Sequence, residues 1–208
     1  MIRQAADSPD NEPFLLSMQS HTLYDDQLFS DTKIDCMLKI TDTEFSNCRF
    51  KNCKLFKISF FDCIFENCVF DNCDLASATI RYSSFRDVTF IDTKLTGIQW
   101  ADASIPLDVH FKQCLLNYSS FIGVDLRNTD IVKCQVKEAD FSEANLLKTN
   151  CSHSDFAGAR FMNTNLTRAD FTNATNYSIH PHGNTLCKTK FSLPEALSLL
   201  DVFDIILT

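Results

Sequence analysis

Residues 41–75 read TDTEFSNCRFKNCKLFKISFFDCIFENCVFDNCDL, and in them a large apolar residue returns at every fifth position: Phe45, Phe50, Leu55, Phe60, Phe65, Phe70 and Leu75. Working outward, the series continues through Ile80, Phe85, Phe90, Leu95, Trp100 and Ile105. At Pro106 it slips by one residue, then resumes at Phe111 and runs through Leu116, Phe121, Leu126, Ile131, Val136, Phe141, Leu146, Cys151, Phe156, Phe161, Leu166 and Phe171. Two residues before each of these centres the chain is mostly small, as at Cys48, Cys53, Cys63, Ala78, Ser83, Ser119, Ala144 and Ala169. Two inward positions per five residues fit neither the helical period of 3.6 nor the strand period of 2. Self-similarity at a fixed period is the signature of a repeat architecture.

The segments CRFKNCKLF, SEANLLKTNC and TNLTRADFTNA resemble the pentapeptide-repeat family, with its A(D/N)Lxx motif, over roughly two thirds of the chain. The resemblance implies an all-β solenoid, a right-handed quadrilateral parallel β-helix in which four pentapeptides make one coil. Centres 20 residues apart must then stack. They do so like on like: Phe45, Phe65, Phe85, Ile105 and, after the slip, Leu126, Leu146, Leu166; or Leu55, Leu75, Leu95, Leu116, Val136, Phe156. With ~4.8 Å between coils, about seven to eight coils give a rod near ~35 Å. The core is supplied by 19 Phe in files, and four Gly leave the turns to repeat geometry.

Three segments follow: a polar N-terminal segment and cap at 1–30, the repeat at 31–175, and a C-terminal cap and dimerisation element at 176–208. Residues 1–13 carry no apolar stretch of the kind a secretory signal needs, and are expected to be flexible or to wrap loosely over the first coil. No stretch is long and apolar enough for a membrane span, so a cytoplasmic location is expected. Ser192 and Glu195 have capping-box spacing, with Pro194 in the first turn and Leu193, Ala196, Leu197 and Leu200 forming one apolar face of a short helix. Val202–Leu207 reads as a strand. Leu197, Leu200, Phe203, Ile205, Ile206 and Leu207 exceed what sealing one coil requires, and point to an isologous homodimer contact.

Ten Cys invite a metal or disulfide argument, but seven occupy the small inward position, as Cys48, Cys53, Cys63, Cys68, Cys73, Cys114 and Cys134, where a free thiol serves as a small hydrophobe. No CxxC pair is present, and none of the five His falls in a catalytic motif, so no metal, no cofactor and no enzyme activity are expected. A net charge of −8 and a pI near 5.0 make nucleic acid an improbable direct partner. On the wall of Ile40, Phe60, Ile80, Trp100, Phe121 and Phe141, the residues two after each centre are Asp42, Asp62, Tyr82, Asp102, Gly123 and Glu143, an acidic ladder. Asp125 and Asp140 lie in adjacent registers, Arg81 and Arg160 interrupt, and another wall carries Lys54, Lys57 and Lys94. Asn47 with Asn67 and Asn52 with Asn72 repeat at one corner, where amides can hydrogen-bond along the stack.

Two further stretches narrow the resemblance. GIQWADASIP from residue 97 and the ending NYSIHPHGNTLCKTKFSLPEALSLLDVFDI are similar to the albicidin-resistance, microcin B17 immunity and quinolone-resistance (Qnr) members of the family. That likeness implies a dimer joined at the C-termini and acting as a DNA mimic on DNA gyrase, with topoisomerase IV as a further partner, to confer resistance or immunity to a toxin or drug. The long loops of quinolone-resistance members are absent. A bulge at Ile105, Pro106, Leu107 and Asp108 is the internal candidate for a specific contact. The alternative is a non-catalytic scaffold or effector module with a non-topoisomerase partner, using Phe61, Ile122 and Met162 beside the acidic wall.

Overall fold

Each side of the coil is only three or so residues long, because after most centres the chain turns a corner in the left-handed region. Asp42 (φ 50°), Asn47 (φ 54°), Asn52 (φ 55°), Lys57 (φ 58°) and Asp62 (φ 55°) mark five successive corners. Asn and Asp tolerate this conformation best among residues with a Cβ, which explains their frequency here. The structure, a computed structural model, describes residues 22–34, 37–203 and 205. Within them the chain is a parallel β-solenoid of about eight turns closed by a short C-terminal helix.

All strand pairs are parallel and in register. On one wall, strands Leu28–Ser30, Arg49–Lys51, Val69–Asp71, Val88–Ile91, Val109–Lys112 and Ile131–Val132 form a six-stranded sheet. Its inward file is Phe29, Phe50, Phe70, Phe90, Phe111 and Ile131, extended by Cys151, Phe171 and Phe191. At ~4.8 Å per rung these intervals give a rod of ~38 Å. Successive rings stack nearly parallel: Phe50 and Phe70 have centroids 4.4 Å apart, Phe45 and Phe65 4.9 Å, and Phe121 and Phe141 4.9 Å. A fully buried Phe contributes roughly 1.5–3 kcal/mol, so these files are the main source of stability.

Stacking begins earlier than the sequence suggests. Leu23–Asp25 pairs with Glu44–Ser46, inside the segment read as an N-terminal cap. The register there is 21 residues, as for Lys33 on Lys54, and becomes 20 at Lys39 on Ser59. One extra residue between Ile34 and Ile40 thus breaks the rhythm that would have revealed the first coil. The expectation for residues 1–13 lies outside the described residues.

The bulge departs from expectation at Ile105. Instead of continuing the file of Phe45, Phe65 and Phe85, Ile105 is 89 % exposed, and Leu107 is the buried apolar residue of that level. Coil bonding holds at Ser104 N–H to Ser83 O and returns at Asp108 N–H to Phe85 O. Pro106 has no N–H to offer the ladder, and the added residue inverts which side chains face inward.

The small inward position does more than save space. Ala78, Ala139, Ala144, Ala159, Ala169 and Ala174 occupy it where their own N–H already bonds the centre carbonyl three residues before. Elsewhere the side chain reaches the centre carbonyl of the preceding coil: Cys68 Sγ to Phe45 O at 3.2 Å, Cys53 Sγ to Phe29 O at 3.3 Å, Cys114 Sγ to Phe90 O at 3.3 Å, Ser154 Oγ to Ile131 O at 2.6 Å and Thr164 Oγ1 to Phe141 O at 2.8 Å. The thiols read as small hydrophobes are therefore also donors, satisfying buried carbonyls at corners. All nine described cysteines are free, and burial pushes the Cys151 thiol well above its ordinary pKa.

Candidate partner-binding surface

The acidic ladder is built from corner residues of the Phe60 wall. Backbone bonds set the stack: Asp42 N–H to Phe61 O, Asp62 N–H to Arg81 O, Tyr82 N–H to Asp102 O, Gly123 N–H to Ser142 O, and Glu143 N–H to Met162 O. Asp42, Asp62 and Glu143 (φ 62°) are exposed, and no cation lies within 4.0 Å of their carboxylates among the described residues. The other three predicted acids are not free. Asp102 sits in the short 3-10 helix Trp100–Asp102 and faces Arg81 at 3.6 Å. Asp140 faces Arg160 at 3.9 Å and accepts the Ser142 N–H, while Asp125 holds Arg127 at 2.7 Å on the neighbouring wall. The six predicted acids thus divide into an open file of three and three that each meet an arginine.

Apolar surface accompanies the file. Phe61 is half-buried, with the Tyr82 ring edge-on at 5.3 Å and Lys39 Nζ 4.5 Å from its centroid. Ile122 (46 % exposed) and Met162 (60 %) continue the strip. The bulge overhangs a groove of about 1190 Å³ at the corner beyond Ile122, lined by Trp100, Ile105, Leu107, Val124 and Arg127 among others. His110 lies beside this groove with Nε2 3.8 Å from Asp108 and Nδ1 3.5 Å from Asp130, and Nδ1 accepts the Asp130 N–H. The bulge residues Ile105, Pro106, Leu107 and Asp108 therefore share one groove with the end of the apolar strip.

At the C-terminus, Tyr177 and Phe191 pack on Phe171 at 5.7 and 5.5 Å, and burial, with Glu195 nearby, pushes the Tyr177 hydroxyl up to about 12. The helix runs over Glu195–Phe203 as a 3-10 helix. It takes in Val202 and Phe203, which corrects the strand expected from residue 202. No side-chain capping box forms: the Ser192 hydroxyl accepts Asn173 N–H at 2.7 Å, and only its backbone carbonyl meets Ala196 N–H. Leu199 packs on the core, whereas Leu193 (76 %), Leu197, Phe203 and Ile205 are exposed and Leu200 is half-buried. Ile206 and Leu207 lie outside the described residues.

The expected Asn ladder is present, with Asn67 Nδ2 donating to Asn47 Oδ1 at 3.3 Å and Asn72 Nδ2 to Asn52 Oδ1 at 2.9 Å. On the wall that carries Lys54 and Lys94, Asp74 stacks between them and pairs with Lys94 at 3.7 Å. The Phe65 wall holds a feature missed by reading only one wall's corners: Lys148, Arg168 and Lys188 stack at its corner in successive coils. Reading the residue two after each centre on all four walls would have found it. Among the described residues no group of three or more His, Cys, Asp or Glu is arranged to hold a metal, and no helix is long and apolar enough to cross a membrane.

A rod of stacked five-residue sides with left-handed corners defines the class, and the sequence agrees. It matches the descriptions "Pentapeptide repeat region" over residues 43–121 and "Pentapeptide repeats (8 copies)" over residues 108–142 and 137–173. The chain belongs to the pentapeptide-repeat family. Among solved structures it is similar to two trypsin-treated variants of QnrB1, a plasmid-mediated fluoroquinolone resistance protein. The first has 20 % identity and a TM-score of 0.69, covering 90 % of this chain and 100 % of that one. The second has 20 % identity and a TM-score of 0.68, covering 88 % and 99 %. At that identity the likeness is one of fold. No curated protein sequence matches the chain.

Proposed function

We propose that this protein is a non-catalytic DNA mimic that binds DNA gyrase, or its relative topoisomerase IV, and protects it from a topoisomerase-targeting toxin or drug. The observation that carries this reading is the open file of Asp42, Asp62 and Glu143 along a straight ~38 Å rod, whose carboxylates have no cation within 4.0 Å among the described residues. A groove evolved for phosphates presents Arg and Lys, and such a file offers negative charge in their place. Complementary potentials of this kind raise the encounter rate and make it salt-dependent. The fold shared with QnrB1 supports the choice of a drug-target partner. Asp102, Asp125 and Asp140 take a smaller part, since each already meets an arginine.

In this reading the exposed Leu197, Phe203 and Ile205 join two copies end to end, lengthening the mimic, and the bulge makes the specific contact. The exposed strip of Ile122 and Met162 favours a partner interface that is not electrostatic alone, which a scaffold role with a different partner would also use. The test is DNA supercoiling by purified gyrase with this protein titrated in, with and without albicidin, microcin B17 and a fluoroquinolone. Restored supercoiling with one inhibitor is expected and names the antagonist. No effect in any arm overturns the proposal in favour of the scaffold.

A further inference from the structure

The Phe65 wall is divided by charge. Its corner file, read from the N-terminal end, is Asp26, Asn47, Asn67 and Asp87, then the bulge, then Asn128, Lys148, Arg168 and Lys188. Asp25, Glu44 and Glu66 add negative charge to the first half, against Arg86 alone. In the second half Asp125 and Arg127 cancel each other at 2.7 Å, leaving three cations. Lys148 N–H bonds Thr167 O and Arg168 N–H bonds Cys187 O, so these cations sit on adjacent rungs ~4.8 Å apart. Like charges in register repel. None of the three has a carboxylate within 4.0 Å among the described residues, and Asn145 and Asn165 bond each other where an acid could have stood.

We infer that this wall is a docking surface for the same wall of a second copy, in antiparallel orientation. A two-fold axis through the bulge sets Asp26 opposite Lys188, Asn47 opposite Arg168, Asn67 opposite Lys148 and Asp87 opposite Asn128. Each half meets the opposite charge, the self-complementarity an isologous contact requires. At the axis stands Ile105, 89 % exposed, beside the groove at its base, which receives the partner's Ile105. A wall of ~38 Å by about 15 Å buries on the order of 1,100 Å² in total, the low end for a specific interface, so the contact is weak and salt-sensitive. This contact shares Trp100 and Ile122 of the groove with the Phe60 wall but uses neither the open file of Asp42, Asp62 and Glu143 nor the C-terminal helix, and it stands whether or not a topoisomerase is the partner.

The experiment compares three full-length chains by sedimentation at low and high salt. One is wild type, one carries Lys148→Glu, Arg168→Glu and Lys188→Glu, and one carries Asp26→Lys, Glu44→Lys and Glu66→Lys. The corner substitutions are compatible with the backbone, since Glu138 (φ 56°) and Lys57 (φ 58°) already occupy such corners. Circular dichroism checks that all three fold. All chains also carry Ile105→Cys on a Cys36→Ser, Cys187→Ser background and are treated with a short bis-maleimide. Wall-to-wall pairing brings the two added thiols together, whereas copies joined only at their C-termini hold them ~40 Å apart. Cross-linking of the wild-type wall is expected at low salt, with at least a fivefold loss for each reversed chain alone and recovery when the two reversed chains are mixed. Absence of the wild-type cross-link, indifference to charge reversal, or no recovery on mixing overturns the inference.

Discussion

Replacing Ser154 by Ala tests whether the small inward position is a donor as well as a filler. Ser154 is fully buried; its Oγ donates to Ile131 O at 2.6 Å and accepts Cys134 N–H at 2.9 Å. The substitution leaves a buried carbonyl and a buried N–H each without that partner, at about 1–3 kcal/mol apiece, so the chain loses about 3 kcal/mol of stability. Two companions sharpen the test. Thr149→Ala removes a bond from Thr149 Oγ1 to Leu126 O at 2.6 Å, but that carbonyl also accepts Thr129 N–H, so the cost is about 1 kcal/mol. Ser154→Cys restores a weaker bridge of the kind Cys134 Sγ makes to Phe111 O at 3.5 Å and with Cys114 N–H at 3.4 Å, and costs under about 1 kcal/mol. Urea denaturation followed by circular dichroism measures all three. Equal losses for Ser154→Ala and Thr149→Ala, or a Ser154→Ala chain within about 1 kcal/mol of wild type, refute the reasoning.

Other outcomes follow from the same geometry. Phe65→Ala removes a fully buried ring stacked on Phe45 at 4.9 Å and Phe85 at 5.1 Å; about 4 kcal/mol is lost in urea titration, and the coils on its N-terminal side unfold first. Asp170 titrates below its ordinary value: burial acts to raise it, but hydrogen bonds from Thr172 and Lys190 prevail. A depressed carboxylate contributes stability above its unfolded pKa and loses it as pH falls through the folded one. Asp170→Asn should therefore remove a small part, about 0.5 kcal/mol, of the stability lost below about pH 4 in acid titrations. Leu197→Asp with Phe203→Asp is expected to halve the mass in light scattering at micromolar concentration without changing the circular dichroism; an unchanged mass contradicts C-terminal pairing.

The five-residue period made the rod legible because each centre must fill a file of fixed width, and neither helix nor strand can produce that spacing. Irregular levels were harder. Ile105 has the right residue type at the right position, and only hydrogen bonding around Pro106 decides that Leu107 turns inward instead. The first coil was hidden by one extra residue between Ile34 and Ile40. Cysteine at the inward position reads as an apolar residue until the corner geometry shows an unsatisfied carbonyl beneath it. Val202 and Phe203 suggested a strand by side-chain type, but they form the last turn of the 3-10 helix Glu195–Phe203. Of the acidic ladder, stacking was predictable from the repeat, while pairing with Arg81, Arg127 and Arg160 depended on side-chain directions the period does not encode.

The most direct measurement of the central claim is the affinity of this protein for purified gyrase, by biolayer interferometry at low and at physiological salt, against the Asp42→Asn, Asp62→Asn, Glu143→Gln chain. Asn already occupies the same left-handed corner at Asn47 and Asn52, so two of the three charges are removed at corners that keep their backbone. Three exposed pairs at about 0.5 kcal/mol each predict roughly tenfold weaker binding at low salt, with the difference shrinking as salt screens it. Equal affinity of the two chains, or wild-type binding indifferent to salt, contradicts a DNA-mimicking acidic wall.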